Sequence, residues 1–205
     1  MELYGATPVE YLTDLGWLGT DVWCAHCVHL SAADTADFAD SDTGVAHCPT
    51  SNLRLGAGVA PVREYLDAGI RVGLGVDGSA SNERGDLLNE VKQALLVARG
   101  RGGPTALTAR EALMLGTRGG AAALGRNDLG SLEPGKRADF AAWRTDGLEL
   151  GGADDPVAGL VFSAPHRVDR LVVEGEDVVR GGALVGADES EIARAHRVEA
   201  RRFAA

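Results

Sequence analysis

The sequence predicts an α/β protein, because strand, loop and helix signals alternate along its first half. Short apolar runs at Val22–Ala25, Thr43–Ala46 and Arg71–Val76 predict buried strands, and polar or turn residues follow each of them. The repeat of roughly 20 to 30 residues between them is typical of parallel βαβ units. Three such units do not close a barrel, so the pattern indicates part of a larger sheet.

Capping signals and apolar periodicity predict the helices. Capping boxes, which pair a hydroxyl side chain with an acid three residues later, predict three helix starts: Thr7–Glu10, Ser31–Asp34 and Thr108–Glu111. Apolar residues at helical spacing predict one further helix from Pro61 and a longer one over Gly85–Ala98. The stretch Thr50–Gly58 is rich in turn-forming residues, and we expect a loop there.

From Leu129 onwards the pattern changes to short strands separated by glycine turns. The segment Ala138–Trp143 predicts one strand, and three further runs predict an antiparallel meander: Arg167–Val173, Asp177–Arg180 and Ala183–Val185. The last segment, Glu189–Phe203, is rich in charge and predicts a surface helix.

Composition limits the partners that the protein can have. Apolar residues make up 45% of the 205 residues, which is enough for a substantial core. The net charge of −10 leaves no basic surface for a nucleic-acid backbone, although it is compatible with a small nucleobase ligand. No apolar run approaches the roughly 18 residues that span a membrane. The first residues lack a signal-peptide pattern, so we expect a cytoplasmic protein without membrane or nucleic-acid partners.

The three cysteines indicate a reducing compartment rather than a disulfide framework. Cys24 and Cys27 form a C-x-x-C pair, which is found in redox sites and in structural zinc sites. Because no second C-x-x-C pair accompanies it, we consider it a weak signal for either.

The strand ends carry the residues that predict a function. His26, His47 and Asp77 each follow a predicted strand, and neighbouring parallel strands lie about 4.8 Å apart, so the three side chains can converge. Imidazole and carboxylate groups bind zinc or a similar divalent ion. For each residue alone, a hydrogen-bonded structural histidine or a helix-capping aspartate is the alternative. Three successive strand ends favour a metal-dependent hydrolase.

The remaining histidines are weaker candidates. His29 lies three residues after His26, where it either lines the pocket or, as we prefer, has a structural role. His166 lies in a turn among the antiparallel strands and His196 lies on the terminal helix. We expect the last two to be solvated.

Five segments resemble the second half of an aminohydrolase of the amidohydrolase superfamily, in the branch that contains 8-oxoguanine deaminase. They are His26–Leu30, His47–Gly56, Ala60–Val62, Gly75–Asn82 and Gly130–Phe140. The resemblance implies the C-terminal part of a (β/α)8 TIM barrel, about strands 6 to 8, followed by strands of a composite β-sandwich. It divides the chain into a barrel portion at residues 1–127, a β-sandwich segment at 128–188 and a C-terminal helix at 189–205.

The resemblance also implies roles for individual residues. Asp77 is similar to the aspartate that binds the metal, most often zinc, and takes a proton from the attacking water. His26 is similar to the catalytic histidine that contacts metal-bound hydroxide and substrate. Residues of the substrate pocket are implied at four positions: His47, Ser51, Asn52 and Ser79. The implied substrate is a small purine-like heterocycle, from which ammonia is released.

The sequence departs from the family pattern before His26. It has neither the expected His-x-His pair nor the next histidine with its nearby glutamate. We therefore expect a C-terminal fragment with an incomplete zinc site, which alone binds metal weakly and turns over no substrate. A complementing N-terminal half or a homo-oligomer would be its partner.

Two alternative functions follow from the same motifs. The first is a triazine-type or nucleoside-type aminohydrolase of the same superfamily, because these branches share the motifs. The second is a non-catalytic remnant, an open α/β module that persists as an interaction module. Because a half barrel exposes strand edges and apolar surface, we expect the isolated chain to be unstable or to self-associate.

Overall fold

A three-stranded parallel sheet forms the centre of the first part of the chain. The computed structural model describes residues 5–164 and 166–203. The strands lie in the order β1–β2–β3, with bounds Trp23–Ala25, Gly44–His47 and Val72–Leu74. Both strand pairs are parallel, which confirms the predicted α/β arrangement. Strands β1 and β3 are shorter than the apolar runs that predicted them.

Helices follow and cover these strands. Their bounds are α1 Pro8–Asp14, α2 Ala32–Asp40, α3 Pro49–Arg54, α4 Val62–Asp67, α5 Leu87–Gly102, α6 Ala109–Met114 and α7 Gly120–Ala123, with a π-helical turn at Leu115–Gly119 between the last two. The three predicted capping boxes are present, with Thr7, Ser31 and Thr108 as N-caps. The predicted helix starts are confirmed at these positions because side-chain oxygens satisfy the first backbone N–H groups.

The expected loop at Thr50–Gly58 is wrong over its first half. Helix α3 begins at Pro49, directly after β2, and continues to Arg54. Proline suits the first position of a helix, because its missing N–H has no partner there and its φ is already helical. One residue therefore ends the strand and begins a helix, which places Ser51 and Asn52 in a helical first turn.

The outer face of the parallel sheet packs against the helices. Val45 and Val72 point to this face and are almost fully buried with Tyr65 of α4 and Leu95 of α5. Alternation along a strand sends the neighbouring residues to the opposite face. The core therefore lies between the sheet and helices α2, α4 and α5.

The opposite face of the sheet is built from glycine where it meets α7. A Cβ atom at Gly73 would lie 2.8 Å from the Cα of Gly120, and one at Gly44 would lie 3.2 Å from the carbonyl oxygen of Ala123. Side chains at these positions would push α7 away from the sheet. These contacts, at the amino end of β2 and in the middle of β3, leave the carboxyl ends of this face open.

A four-stranded antiparallel sheet forms in the second part of the chain. Its strands lie in the order β4–β5–β6–β7: Phe140–Ala142, Arg170–Val173, Glu176–Arg180 and Ala183–Leu184. The predicted antiparallel meander is confirmed. The last helix, α9, spans Glu189–Phe203 and has no buried residue, as predicted for a surface helix.

Helix α8, Pro156–Ser163, was not predicted from the sequence. Asp155 accepts a hydrogen bond from the backbone N–H of Val157, and Pro156 occupies the first turn. The helix packs against α5 and α6, and its Val161 is fully buried in the core of the parallel part. The segment 128–188 is thus not β-structure throughout.

Residues 1–4, 165 and 204–205 lie outside the described residues. None of the helices within 5–164 and 166–203 is long and apolar enough to cross a lipid bilayer.

Candidate active site

His26, directly after β1, and Asp77, three residues after the end of β3, share an unusual backbone conformation. Their φ angles are 67° and 61°, in the left-handed region that favours glycine. A non-glycine residue there costs of order 1–3 kcal/mol and persists where surrounding contacts hold it. The φ of Cys27 is also positive, at 46°. Tyr65, which is fully buried, donates a 2.5 Å hydrogen bond to the carbonyl oxygen of Cys27 and so holds this turn.

The two side chains face each other across a short gap. The Nε2 atom of His26 lies 3.8 Å from Oδ2 of Asp77. On the other side of the imidazole, Nδ1 lies 2.9 Å from Oδ1 of Asn52. Because an amide oxygen only accepts, the hydrogen lies on Nδ1. With the hydrogen on Nδ1, the neutral form of the ring has its lone pair at Nε2, facing the carboxylate, and this gap suits a cation or a proton.

Hydrogen-bond donors keep Asp77 ionised. Ser51 donates to Oδ2 at 2.5 Å, Ser81 donates to Oδ2 at 2.9 Å and the N–H of Gly78 donates to Oδ1 at 2.7 Å. These donors, that of Ser51 first, lower the pKa of Asp77 from 3.8 to about 2. Donors that favour the charged form stabilise a carboxylate at neutral pH.

His47 lies behind the site rather than beside the other two. Its side chain is fully buried, and burial lowers its pKa from 6.5 to about 4, with the nearby His26 as a second cause. By strand alternation Ala46 and Cys48 face the open side of the sheet and line a cavity there, whereas His47 is not among its lining residues. We therefore find a neutral imidazole next to the site and not in the pocket.

The loop after Asp77 contributes residues other than the one singled out from the sequence. Ser79 is exposed, whereas Ser81 and Asn82 are buried. Ser81 donates to Asp77, and Asn82 donates from Nδ2 to the carbonyl oxygen of Val76. The sequence pattern indicates that this loop borders the site. It does not indicate which of its residues contact Asp77, because the direction of each side chain depends on the turn.

A cavity of about 310 Å³ lies on the open face of the parallel sheet. It extends from α7 to the carboxyl ends of the strands, and most of its lining is apolar: Trp23, Ala25, His26, Ala46, Cys48, Gly73, Leu74, Gly75, Asp77, Gly120, Ala123 and Leu124. His26 and Asp77 are its ionisable residues other than Cys48. A pocket of this size with few polar groups suits a small ligand.

The other candidate residues lie apart from this pair. His29 and His196 are exposed, as expected for the latter. The expected solvation of His166 is wrong, since its side chain is only 10% exposed and forms a 3.0 Å hydrogen bond with Ser163. The thiols of Cys24 and Cys27 are free. Burial raises the pKa of Cys27 to about 12, the opposite of what a reactive redox cysteine needs.

The described residues provide zinc ligands of the right kind but too few of them. No group of three His, Cys, Asp or Glu side chains within residues 5–164 and 166–203 is arranged to hold a metal ion. A catalytic zinc site needs three protein ligands and one open position. Three buried polar atoms in the same region also lack a partner in this part of the chain: His47 Nδ1, Thr50 Oγ1 and Asn52 Nδ2.

Parallel strands that carry an acid and an imidazole at their carboxyl ends are typical of α/β enzymes, whose active sites lie at that face of the sheet. The chain belongs to the amidohydrolase family, whose family model matches residues 2–178. This confirms the family that the motifs indicated.

Two curated relatives are deaminases. The chain is 42% identical over 200 residues to 8-oxoguanine deaminase of Pseudomonas aeruginosa, an alignment that covers 98% of this chain and 44% of that enzyme. It is also 42% identical over 203 residues to 5-methylthioadenosine/S-adenosylhomocysteine deaminase of Desulforudis audaxviator, with coverage of 98% and 47%. The chain thus spans less than half the length of these relatives.

Solved structures of zinc enzymes have the same fold over this region. Atrazine chlorohydrolase from Arthrobacter aurescens, complexed with zinc, matches with a TM-score of 0.91 and 43% identity over 96% of this chain and 44% of that one. An adenosine deaminase from Xanthomonas campestris with bound zinc matches with a TM-score of 0.94 and 30% identity over 100% and 47%. Both neighbours are enzymes with an α/β fold.

Proposed function

We propose that this chain forms the C-terminal part of a metal-dependent aminohydrolase that releases ammonia from a purine-like heterocycle. The observation that carries the proposal is the pairing of His26 Nε2 with Asp77 Oδ2 across 3.8 Å at the carboxyl ends of parallel strands. The identity to an 8-oxoguanine deaminase favours an oxidised purine among the candidate substrates. The apolar cavity beside the pair is suited to a planar ring.

We also propose which part of a complete barrel enzyme each segment of this chain forms. Strands β1, β2 and β3 would be strands 6 to 8 of a (β/α)8 barrel, within a portion at residues 1–127. The antiparallel strands would belong to a β-sandwich segment at 128–188, and α9 would lie in the C-terminal segment at 189–205. The parallel register of β1–β3 and the antiparallel order β4–β7 support this division.

Asp77 would act mainly as an anionic ligand. With a pKa of about 2 it is ionised throughout the physiological range. The same three donors make it a weak proton acceptor, so accepting a proton from water would require one of the serine hydrogen bonds to lengthen. Ser51 and Ser81 would then control when Asp77 takes the proton.

His26 would contact the substrate through Nε2, the ring nitrogen that faces the cavity. Asn52 fixes the orientation of the imidazole by accepting from Nδ1. In this position His26 can stabilise charge that develops on the carbon under attack. We propose that Ser79 lies at the exposed edge of the pocket. We also propose that His47 affects substrate binding through His26 rather than by direct contact.

The cofactor would be a divalent ion, with zinc favoured by the zinc-containing relatives. Bound zinc would supply Lewis acidity, which makes water acidic enough to act as a nucleophile near neutral pH. In this chain Asp77 would hold the ion. The other ligands would come from barrel strands outside it, in the same polypeptide or in a complementing one.

A fusion tests the proposed function. The chain would be joined behind the N-terminal part of the Pseudomonas aeruginosa 8-oxoguanine deaminase that precedes the matched region. Ammonia release would be measured with 8-oxoguanine, S-adenosylhomocysteine and an aminotriazine, and zinc content would be measured in parallel. We expect zinc and ammonia release with the fusion, neither with the chain alone, and loss of activity in the Asp77→Asn fusion.

Three other outcomes of this experiment would contradict parts of the proposed function. Tight stoichiometric zinc in the isolated chain would contradict the incomplete site. A folded, zinc-loaded fusion that releases ammonia from none of the three compounds would contradict the aminohydrolase and favour the non-catalytic remnant. A preference for the triazine or the nucleoside would replace 8-oxoguanine as the substrate class.

A further inference from the structure

Glu90 is a fully buried acid that lies outside the cavity beside His26 and Asp77. It is located in the first turns of α5, and its relative exposure is 0%. Both of its carboxyl oxygens accept hydrogen bonds: Oε2 from the backbone N–H of Thr50 at 3.0 Å, and Oε1 from Nδ2 of Asn82 at 3.0 Å. A buried carboxyl group is costly unless such donors meet it, so its position calls for an explanation.

The two donors belong to the two segments that carry the site. Thr50 is adjacent to Ser51 in α3. Asn82 closes the loop after β3, and its Nδ2 also donates to the carbonyl oxygen of Val76 at 2.8 Å, directly before Asp77. One side chain of α5 therefore links the backbone next to Ser51, directly, with the backbone next to Asp77, through the Asn82 amide.

Glu90 also supplies what α3 lacks at its amino end. The N-cap residue of α3, Cys48, makes no side-chain capping hydrogen bond. Glu90 accepts from Thr50, the second residue of the helix, and an acid is favourable at that end of the helix dipole. The capping group of the helix that carries Ser51 thus comes from a different helix.

We propose that Glu90 is a positioning residue, which holds the Ser51 and Asp77 segments in register so that Ser51 can donate to Asp77. Its effect on turnover rests on the proposed function, whereas its effect on the two segments does not. Glutamate is needed because both oxygens must accept. Glutamine has one oxygen and one NH2 group, so one of its ends would face a donor, either Thr50 N–H or the Asn82 amide.

Residue-resolved hydrogen exchange of the whole chain tests this proposal. The variant is Glu90→Gln, and the control is Glu64→Gln, which makes the same chemical change in an exposed acid paired with Arg101. The reporters are the backbone amides of Thr50 and Asn82. The reference is the amide of Val45, which donates to the carbonyl oxygen of Arg71 within the parallel sheet.

In Glu90→Gln we expect both reporters to exchange at least tenfold faster, with Val45 changed less than twofold. In Glu64→Gln we expect no reporter to change. Equal acceleration of Val45 and the reporters would mean that Glu90 contributes only to general stability and would overturn the proposal. Unchanged reporters would overturn it as well. Should Glu90→Gln not fold, Asn82→Ala removes one of the two hydrogen bonds to Glu90. Faster exchange of the Thr50 amide with Val45 unchanged is then the expected result, and an unchanged Thr50 amide would overturn the proposal.

The readout is independent of catalysis. A fusion that fails to release ammonia would contradict the proposed aminohydrolase and leave the exchange result standing. A normal exchange pattern would contradict the role of Glu90 and leave the aminohydrolase standing.

Discussion

Ser51 donates a 2.5 Å hydrogen bond to Oδ2 of Asp77 and thereby joins the segments that follow β2 and β3. Ser51 is fully buried, whereas Asp77 is partly exposed at the cavity. The hydroxyl approaches from within the protein, so it stabilises the carboxylate and leaves the cavity side of Asp77 accessible. This contact is the main reason for the low pKa of Asp77.

Removing that donor should raise the pKa of Asp77. In Ser51→Ala we expect the pKa to move from about 2 towards the ordinary value of 3.8, because the first of its three donors is lost. Ser81→Ala removes a weaker contributor and should give a smaller rise. Carbon-13 NMR titration of the Asp77 carboxyl group in the metal-free chain measures both. A larger shift in Ser81→Ala than in Ser51→Ala would contradict the assignment.

Buried His47 should make stability depend on pH. Its folded-state pKa of about 4 lies below the ordinary 6.5, so the unfolded chain binds a proton at a pH where the folded chain does not. This contribution to the free energy of unfolding is complete above pH 6.5 and falls by roughly 3 kcal/mol as the pH is lowered to about 4. Urea unfolding at several pH values measures it. In His47→Gln the decrease over this interval should be smaller, and an identical decrease would show that other groups cause it.

The glycine contact between β3 and α7 should tolerate no side chain. In Gly73→Ala the new Cβ would lie 2.8 Å from the backbone of Gly120, and neither backbone can move without disturbing the sheet. We expect a loss of about 1–3 kcal/mol in urea unfolding. Gly100→Ala is the matched control, because Gly100 is exposed in α5 with open space around it. That change should stabilise by about 0.5–1 kcal/mol, and equal losses would contradict the steric explanation.

Arg71 should contribute more to the free energy of unfolding than a typical surface arginine. It is 16% exposed and donates to the carbonyl oxygens of Ala122 at 2.6 Å and Thr20 at 2.9 Å, besides pairing with Asp42. Arg71→Met keeps much of the stem but leaves the part-buried carbonyl oxygen of Ala122 without this donor, and we expect a loss of about 1–2 kcal/mol.

The control for this change is Arg54→Met. Arg54 is 50% exposed and pairs with the exposed Glu83. Exposed pairs contribute about 0–1 kcal/mol, so its free energy of unfolding should barely change. Similar losses of unfolding free energy in Arg71→Met and Arg54→Met would show that the hydrogen bonds of Arg71 do not add to stability.

Much of the architecture could be read from local patterns. The capping boxes at Thr7, Ser31 and Thr108 formed as predicted, since a cap depends on residues three positions apart. The order of strands and the antiparallel meander also followed from apolar runs and glycine turns. Local rules failed at α3 and α8, both of which begin with proline, a residue that signals a turn as well as a helix start.

The sequence by itself determined the family, the strand ends at His26 and Asp77, and the number of ligand-type residues available in this chain. These depend on residue types and their spacing. Only the tertiary structure decided which side chains meet. It brought Ser51 and Ser81 to Asp77, turned His47 away from the cavity, and set Glu90 behind both segments. Strand alternation, turn conformation and the packing of α5 set these directions, and they act between residues as far as 40 positions apart in the chain.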